Sequence, residues 1–209
     1  MLSDLQIMER IVADNPEQRI VISPLVAAAE QLGPSSINVH LGTEFLIVEP
    51  SNRHSFDPLM TEDEYKSWLK HARVTAKYSL GNPFVLHPWE FALANTLEYI
   101  KLPRDIMGRI DGRSTWARQG LQIHATAGNI HPGTQGFVVF ELGNVGPVPI
   151  LLYPGMPIAQ LTFDELRVSV DIGYFDNIAS RYSGFRQTLW SAYPNDGVLQ
   201  AMRAAKYGK

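Results

Sequence analysis

The chain contains no cysteine. Disulfides are therefore excluded, and so is every zinc site that depends on thiolates. It also lacks an excess of basic residues. Eighteen Lys and Arg stand against 21 Asp and Glu, for a formal charge of −3 and a pI near 6.1, and no block of like sign stands out. A nucleic-acid partner would usually leave a basic footprint, so none is expected. No apolar stretch approaches the ~20 residues of a membrane span, and the N-terminus, MLSDLQIMERI, is amphipathic and carries acids. Neither an internal repeat nor a low-complexity segment is present. These absences leave a soluble, cytoplasmic protein, and 209 residues suit one domain spanning 1–209.

What is present is a series of short apolar runs broken by Gly, Pro and Asn. Ser3 and Gln6 have the form of a capping box, with Leu5, Met8, Ile11 and Val12 at helical spacing behind it, which predicts a helix over 4–14. Residues 19–23 (RIVIS) read as a strand closed by Pro24. A short helix over 24–33 follows, with Ser23 as cap and Gly33 as stop. Alternation over 35–45 places Ile37, Val39 and Leu41 on one side of a strand. A polar loop over 49–58 leads to Thr61 and Glu64, a second capping box, and Tyr65, Trp68 and Leu69 give its helix an apolar stripe. Short strands are predicted at 84–86, 91–93 and 99–102, and their spacing suggests a sandwich or barrel. Near the end, 173–188 is polar and glycine-containing, and 196–206 predicts a terminal helix with its bases at the C-terminal end.

The stretch from Gly112 to Phe163 organises the rest. Glu141 interrupts the apolar run 136–142 (GFVVFEL), with Phe137 and Val139 on its own side and Val138, Phe140 and Leu142 on the other. Both faces read as apolar, and an ionised carboxylate there requires a cation or several donors. Arg113 and Arg118 are the available cations. Glu141 is then either one half of a structural ion pair or a working acid/base held near neutrality by its pocket. Upstream, Asp111-Gly112-Arg113-Ser114-Thr115 is either an ordinary helix start or an anion site of backbone N–H groups, hydroxyls and a guanidinium. Arg118 follows Ser114 by one turn, on the same face. His124, between Ile123 and Ala125, reads as a core or subunit-contact histidine. The turn 129–133 (NIHPG) lies between Gly128 and Gly133, which allow close approach of backbone to a ligand.

In order along the chain, residues 2–4 (LSD), 20–24 (IVISP), 36–42 (SINVHLG), 84–88 (FVLHP), 102–103 (LP), 111–114 (DGRS), 117–118 (AR), 124–127 (HATA), 140–141 (FE) and 154–156 (PGM), with Ile158 and Leu161, resemble the dCTP deaminase family of the trimeric dUTPase superfamily. The resemblance implies a mainly β, dUTPase-like distorted barrel or jelly roll with short peripheral helices. It also implies a homotrimer with active sites between subunits, and hydrolysis of dCTP to dUTP and ammonia without zinc. The paired-cysteine zinc site of other base deaminases is in any case unavailable to this chain. Carried over by position, Glu141 is the acid/base that activates water against C4 of the cytosine. Ser114 and Arg118 orient water and carboxylate, with the backbone of Ala127 assisting. Arg113, Ser114 and Thr115 face a triphosphate whose charge is shared with Mg²⁺.

The chain departs from the family at several places. His131 stands where an aspartate is usual in the sugar-binding turn, and Asn38 and His40 replace an Asp and an Arg. In the 173–188 segment, which the resemblance makes a lid over the nucleotide, Tyr174 matches. Arg181 stands for a lysine and Phe185 for a glutamine, with Gln187 two places on. The substrate-binding set implied is Arg113, Thr115, His131, Tyr174, Arg181 and Gln187. These departures motivate two alternatives: a dUTPase-type or bifunctional deaminase and pyrophosphatase, and a nucleotide-binding regulator without turnover.

Overall fold

A computed structural model describes residues 1–48, 55–177 and 196–207. The capping box at Ser3 forms: its Oγ accepts from the Gln6 N–H at 3.4 Å, and the Gln6 side chain accepts from the Ser3 N–H at 2.9 Å. Helix α1 then runs Asp4–Ile11, shorter than the periodicity predicts, because Ile7 is its only buried residue and Val12 faces solvent. Arg10 ties this helix to Asp105, at 2.7 Å, and to Glu165. Burial alone would lower the pKa of its guanidinium, but the two carboxylates outweigh burial and raise it.

The rest of the fold is one large sheet with a small companion. In chain order the strands are β1 (Val21–Ser23), β2 (Ile37–Val48), β3 (Arg73–Lys77), β4 (Phe84–Leu86), β5 (Phe91–Lys101), β6 (Ile106–Gly112), β7 (Leu121–Gln122), β8 (Asn129–Ile130), β9 (Gln135–Asn144), β10 (Ile150–Leu152) and β11 (Pro157–Glu165). Nine of them form a sheet of order β7-β9-β5-β2-β11-β6-β8, with β1 on β5 and β3 on β2, while β4 pairs with β10. Every pairing is antiparallel.

The sheet curls. Register shifts interrupt β5 on both sides, between Asn95 and Tyr99 toward β9 and between Leu41 and Phe45 toward β2, and such bulges bend a strand and sharpen its twist. The curl is deep enough for one connection to span the two edges. Residues 121–130 leave β9, where the Glu141 N–H donates to the Ile123 carbonyl at 3.0 Å, and reach β6, where the Ile110 N–H donates to the Gly128 carbonyl at 2.8 Å. Inside the curl lie Phe45, Phe140, Phe163, Ile100, Ile110 and Leu161, all essentially excluded from solvent. The predicted mainly β architecture with short peripheral helices is therefore present.

Two expected strands, 91–93 and 99–102, prove to be the single strand β5. Ala94-Asn95-Thr96 in its middle is small and polar enough to read as a break, but residues 92–96 are all buried because both faces of the strand are covered. Small side chains are required there: a Cβ on Gly42 would stand 2.6 Å from Asn95 Oδ1. The helix expected over 24–33 is reduced to α2 (Ala28–Gln31), whose N-cap is Ala27 rather than Ser23. Its position is set by tertiary contacts of Gln31, which accepts from the Ala27 N–H and donates to the Asn38 carbonyl. Helix α3 (Glu62–Ala72) starts at the Thr61/Glu64 capping box. The single turn α4 (Ser114–Ala117) follows β6. Helix α5 (Gly197–Tyr207) starts at Asp196, whose carboxylate accepts from the Val198 and Leu199 N–H groups. Arg203 Nε of that helix donates to the Leu59 carbonyl at 2.9 Å. Among the described residues, no helix is long and apolar enough to cross a membrane.

Candidate active site

Strand β9 has one buried face and one open face. Phe140, Leu142 and Asn144 point into the core, whereas Phe137, Val139 and Glu141 are half-exposed. The expectation that Glu141 is enclosed on both sides is corrected accordingly. So is its pairing with an arginine. Glu141 Oε2 accepts from the Ala125 N–H at 2.8 Å, and no ion pair joins it to Arg113 or Arg118 among the described residues. The physical reason is local. The curl lays the 123–128 turn against β9, so a backbone donor meets the carboxylate, and partial exposure leaves its other lone pairs to solvent.

The basic and hydroxyl cluster sits on α4, against the edge strand β7. This turn is held down by Trp116, whose indole N–H donates to the Pro157 carbonyl at 2.8 Å, and by Arg113, whose Nη1 donates to the same carbonyl at 3.1 Å. Ser114, Thr115 and Arg118 are exposed, and their side chains hold no hydrogen bond or ion pair among the described residues. Ala127 lies exposed on the 123–128 turn, two residues beyond the donor to Glu141. The structure therefore brings Glu141 and the 125–127 backbone together, and groups Arg113, Ser114, Thr115 and Arg118 separately.

A third group forms where the 131–134 turn meets the chain after β11. His131 stacks on Tyr174 with ring centroids 5.2 Å apart and planes inclined by 27°. Gly133, at φ +77°, adopts a left-handed conformation, and a Cβ there would stand 2.5 Å from the Gly173 Cα. The two glycines thus let two backbones cross in contact. Arg181, Gln187 and most of the segment expected as a lid lie outside the described residues.

Sequence reasoning missed a second carboxylate. Glu98 is 0 % exposed, and its oxygens accept from the His40 N–H at 2.9 Å and meet His40 Nδ1 at 2.5 Å. The buried amide of Gln31 lies 3.4 Å from Oε1. The signal was available, since Glu98 breaks the run 97–100 (LEYI) just as Glu141 breaks its own run. Trp116 and Arg104 were also passed over, and only their contacts single them out.

A family model described as dCTP deaminase-like matches residues 1–166. The chain belongs to this dCTP deaminase-like family. Among curated relatives, the "dCTP deaminase, dUMP-forming" of Dictyoglomus turgidum is 38% identical over 166 residues, covering 79% of this chain and 82% of the relative. The "dCTP deaminase" of Thermomicrobium roseum is 35% identical over 193 residues, covering 92% and 95%. In fold, the chain is similar to the crystal structure of the dCTP deaminase of Agrobacterium tumefaciens, with a TM-score of 0.55 at 20% identity. That match takes in 78% of this chain and 47% of the other, so the chain spans about half the length of that solved protein. Within the family region fall Glu141, Ala127 and the α4 cluster, while Tyr174 and α5 lie beyond residue 166.

Proposed function

We propose that the protein hydrolyses dCTP to dUTP and ammonia, with Glu141 as its acid/base. The observation that carries this reading is the placement of Glu141: a half-exposed carboxylate on an otherwise apolar strip, oriented by one backbone N–H, with oxygen lone pairs left for substrate and water. Glu141 takes a proton from water as the oxygen bonds to C4 of the cytosine, and delivers it to N3. Glu141 then takes the remaining proton from the C4 hydroxyl and passes it to the amine, so that the C4=O bond forms as the C4–N bond breaks and ammonia leaves. The turn at 125–127 holds the carboxylate and presents backbone groups to the attacking oxygen.

Ser114 and Arg118 complete the site from a neighbouring subunit of a homotrimer. Their exposure, and the lack of a partner for their side chains among the described residues, support this arrangement, because such a guanidinium and hydroxyl can meet the carboxylate of another copy. Arg113 and Thr115 face the triphosphate, and His131 and Tyr174 form the sugar-side wall. Arg181 and Gln187 belong to the phosphate end. Among the described residues no three acids or histidines gather as metal ligands. Mg²⁺ would be bound through the substrate triphosphate beside Arg113 and Thr115 and would neutralise charge there.

Incubation of the pure protein with dCTP and Mg²⁺, followed by ammonia release, tests the reading. Turnover of dCMP or CTP but not dCTP would reassign the substrate. Tight nucleotide binding without product over hours would make the protein a regulator instead. A second reading, release of pyrophosphate as well, is favoured by the dUMP-forming names of several relatives. Equal yields of ammonia and pyrophosphate from dCTP would establish it, and ammonia alone would remove it.

A further inference from the structure

We infer that Arg104 is a positioning residue for the sugar-side wall: it clasps the chain on either side of Tyr174 and thereby sets the stack on His131. Arg104 lies in the turn between β5 and β6, far in sequence from the segment it holds. Its Nη1 donates to the Asp171 carbonyl at 3.2 Å and its Nη2 to Asp176 Oδ2 at 2.8 Å. Gly173, between those two contacts, lies against both partners of the junction: a Cβ there would stand in ordinary contact with Arg104 Cγ and Nε, at 3.5 Å, and more tightly against the Gly133 Cα, at 3.2 Å. The same turn also receives the chain by backbone, since the Val170 N–H donates to the Arg104 carbonyl at 3.0 Å. Beyond it, the Tyr174 N–H donates to the Pro132 carbonyl at 2.8 Å and the Phe175 N–H to the Gly133 carbonyl at 3.1 Å.

This geometry is a three-way junction of turns 102–105, 131–134 and 170–177, in which glycines make the crossing and therefore supply no side-chain packing. A planar guanidinium with two bonds in fixed directions provides what the glycines do not, an orientation for the residue between its contacts. The ion pair itself is half-exposed on both sides and contributes little to stability. Its consequence is the angle and distance at which Tyr174 meets His131. The proposal rests on the reading that these rings face the nucleotide, and names the residue that sets them.

The experiment has two arms. In the intact protein, the His131 ring protons are observed by NMR in wild type, Arg104→Ala and Arg104→Lys, with Tyr174→Leu as the unstacked reference. Arg104→Ala should move the His131 signals toward the Tyr174→Leu position, and Arg104→Lys, which keeps charge but not the fork, should fall between. In the kinetic arm, KM for dCTP should rise several-fold in Arg104→Ala while kcat stays within about twofold, the signature of lost binding rather than lost chemistry. Unmoved His131 signals overturn the inference. Moved signals with an unchanged KM overturn its link to substrate. Should wild type release no ammonia, the functional reading fails, and the NMR arm still decides whether Arg104 sets the stack.

Discussion

Glu98 and Glu141 sit on the neighbouring strands β5 and β9, and each interrupts an apolar run, yet their surroundings differ in kind. Glu98 is wholly buried and receives a backbone N–H, the His40 ring and a weaker contact from the Gln31 amide. Its charge is met within the chain, which is the condition for an ionised group to stay buried. Glu141 is half-exposed and has one donor among the described residues, the Ala125 N–H. A carboxylate with its lone pairs occupied fastens strands together. One with lone pairs left over can accept a proton from a substrate. The comparison teaches that the apolar character of a strand does not fix the surroundings of its acid: on neighbouring strands one carboxylate is enclosed by partners and the other is left open.

Four substitutions sharpen or break that contrast. Glu141→Gln should reduce ammonia release from dCTP by at least about 100-fold, because a carboxamide keeps the shape but cannot take the proton. Its denaturation midpoint should match wild type, and retained turnover would erase the distinction. His40→Ala should do the reverse, costing about 2–3 kcal/mol in denaturant unfolding by stripping a charged hydrogen bond from a buried carboxylate, while residual folded protein keeps its kcat. Gln31→Ala removes a weaker contact to the same group and should cost about 1 kcal/mol, measured in the same way. The smallest stability effect belongs to Arg118→Ala. With its side chain exposed and without a partner among the described residues, unfolding should shift by no more than about 0.5 kcal/mol, although deamination should be lost. A large destabilisation there would mean that the arginine meets Glu141 inside one chain after all.

Much of this was legible in the residues themselves. The capping boxes at Ser3 and Thr61 mark their helices because the signal is local, a hydroxyl and a carboxamide or carboxylate three residues apart. Glu141 was legible as an anomaly for a similar reason, since one charge in an otherwise apolar run of seven residues needs no tertiary knowledge to notice. Strand β5 was legible only at its ends, as Ala94-Asn95-Thr96 carries no large apolar residue and its burial comes from neighbours on both faces. Helix α2 was misplaced because Gln31, rather than a cap at Ser23, decides where it lies.

By itself the sequence determined that the protein is mainly β, that it carries no thiolate site, and that Glu141 is a residue to explain. Each follows from composition or from short-range pattern, where the interacting residues are near one another along the chain. Only the tertiary structure decided which group meets each carboxylate. Ala125 reaches Glu141 across sixteen residues and His40 reaches Glu98 across 58. Such pairings are set by how far the sheet curls and where its bulges fall, and neither is written in any window of sequence short enough to read.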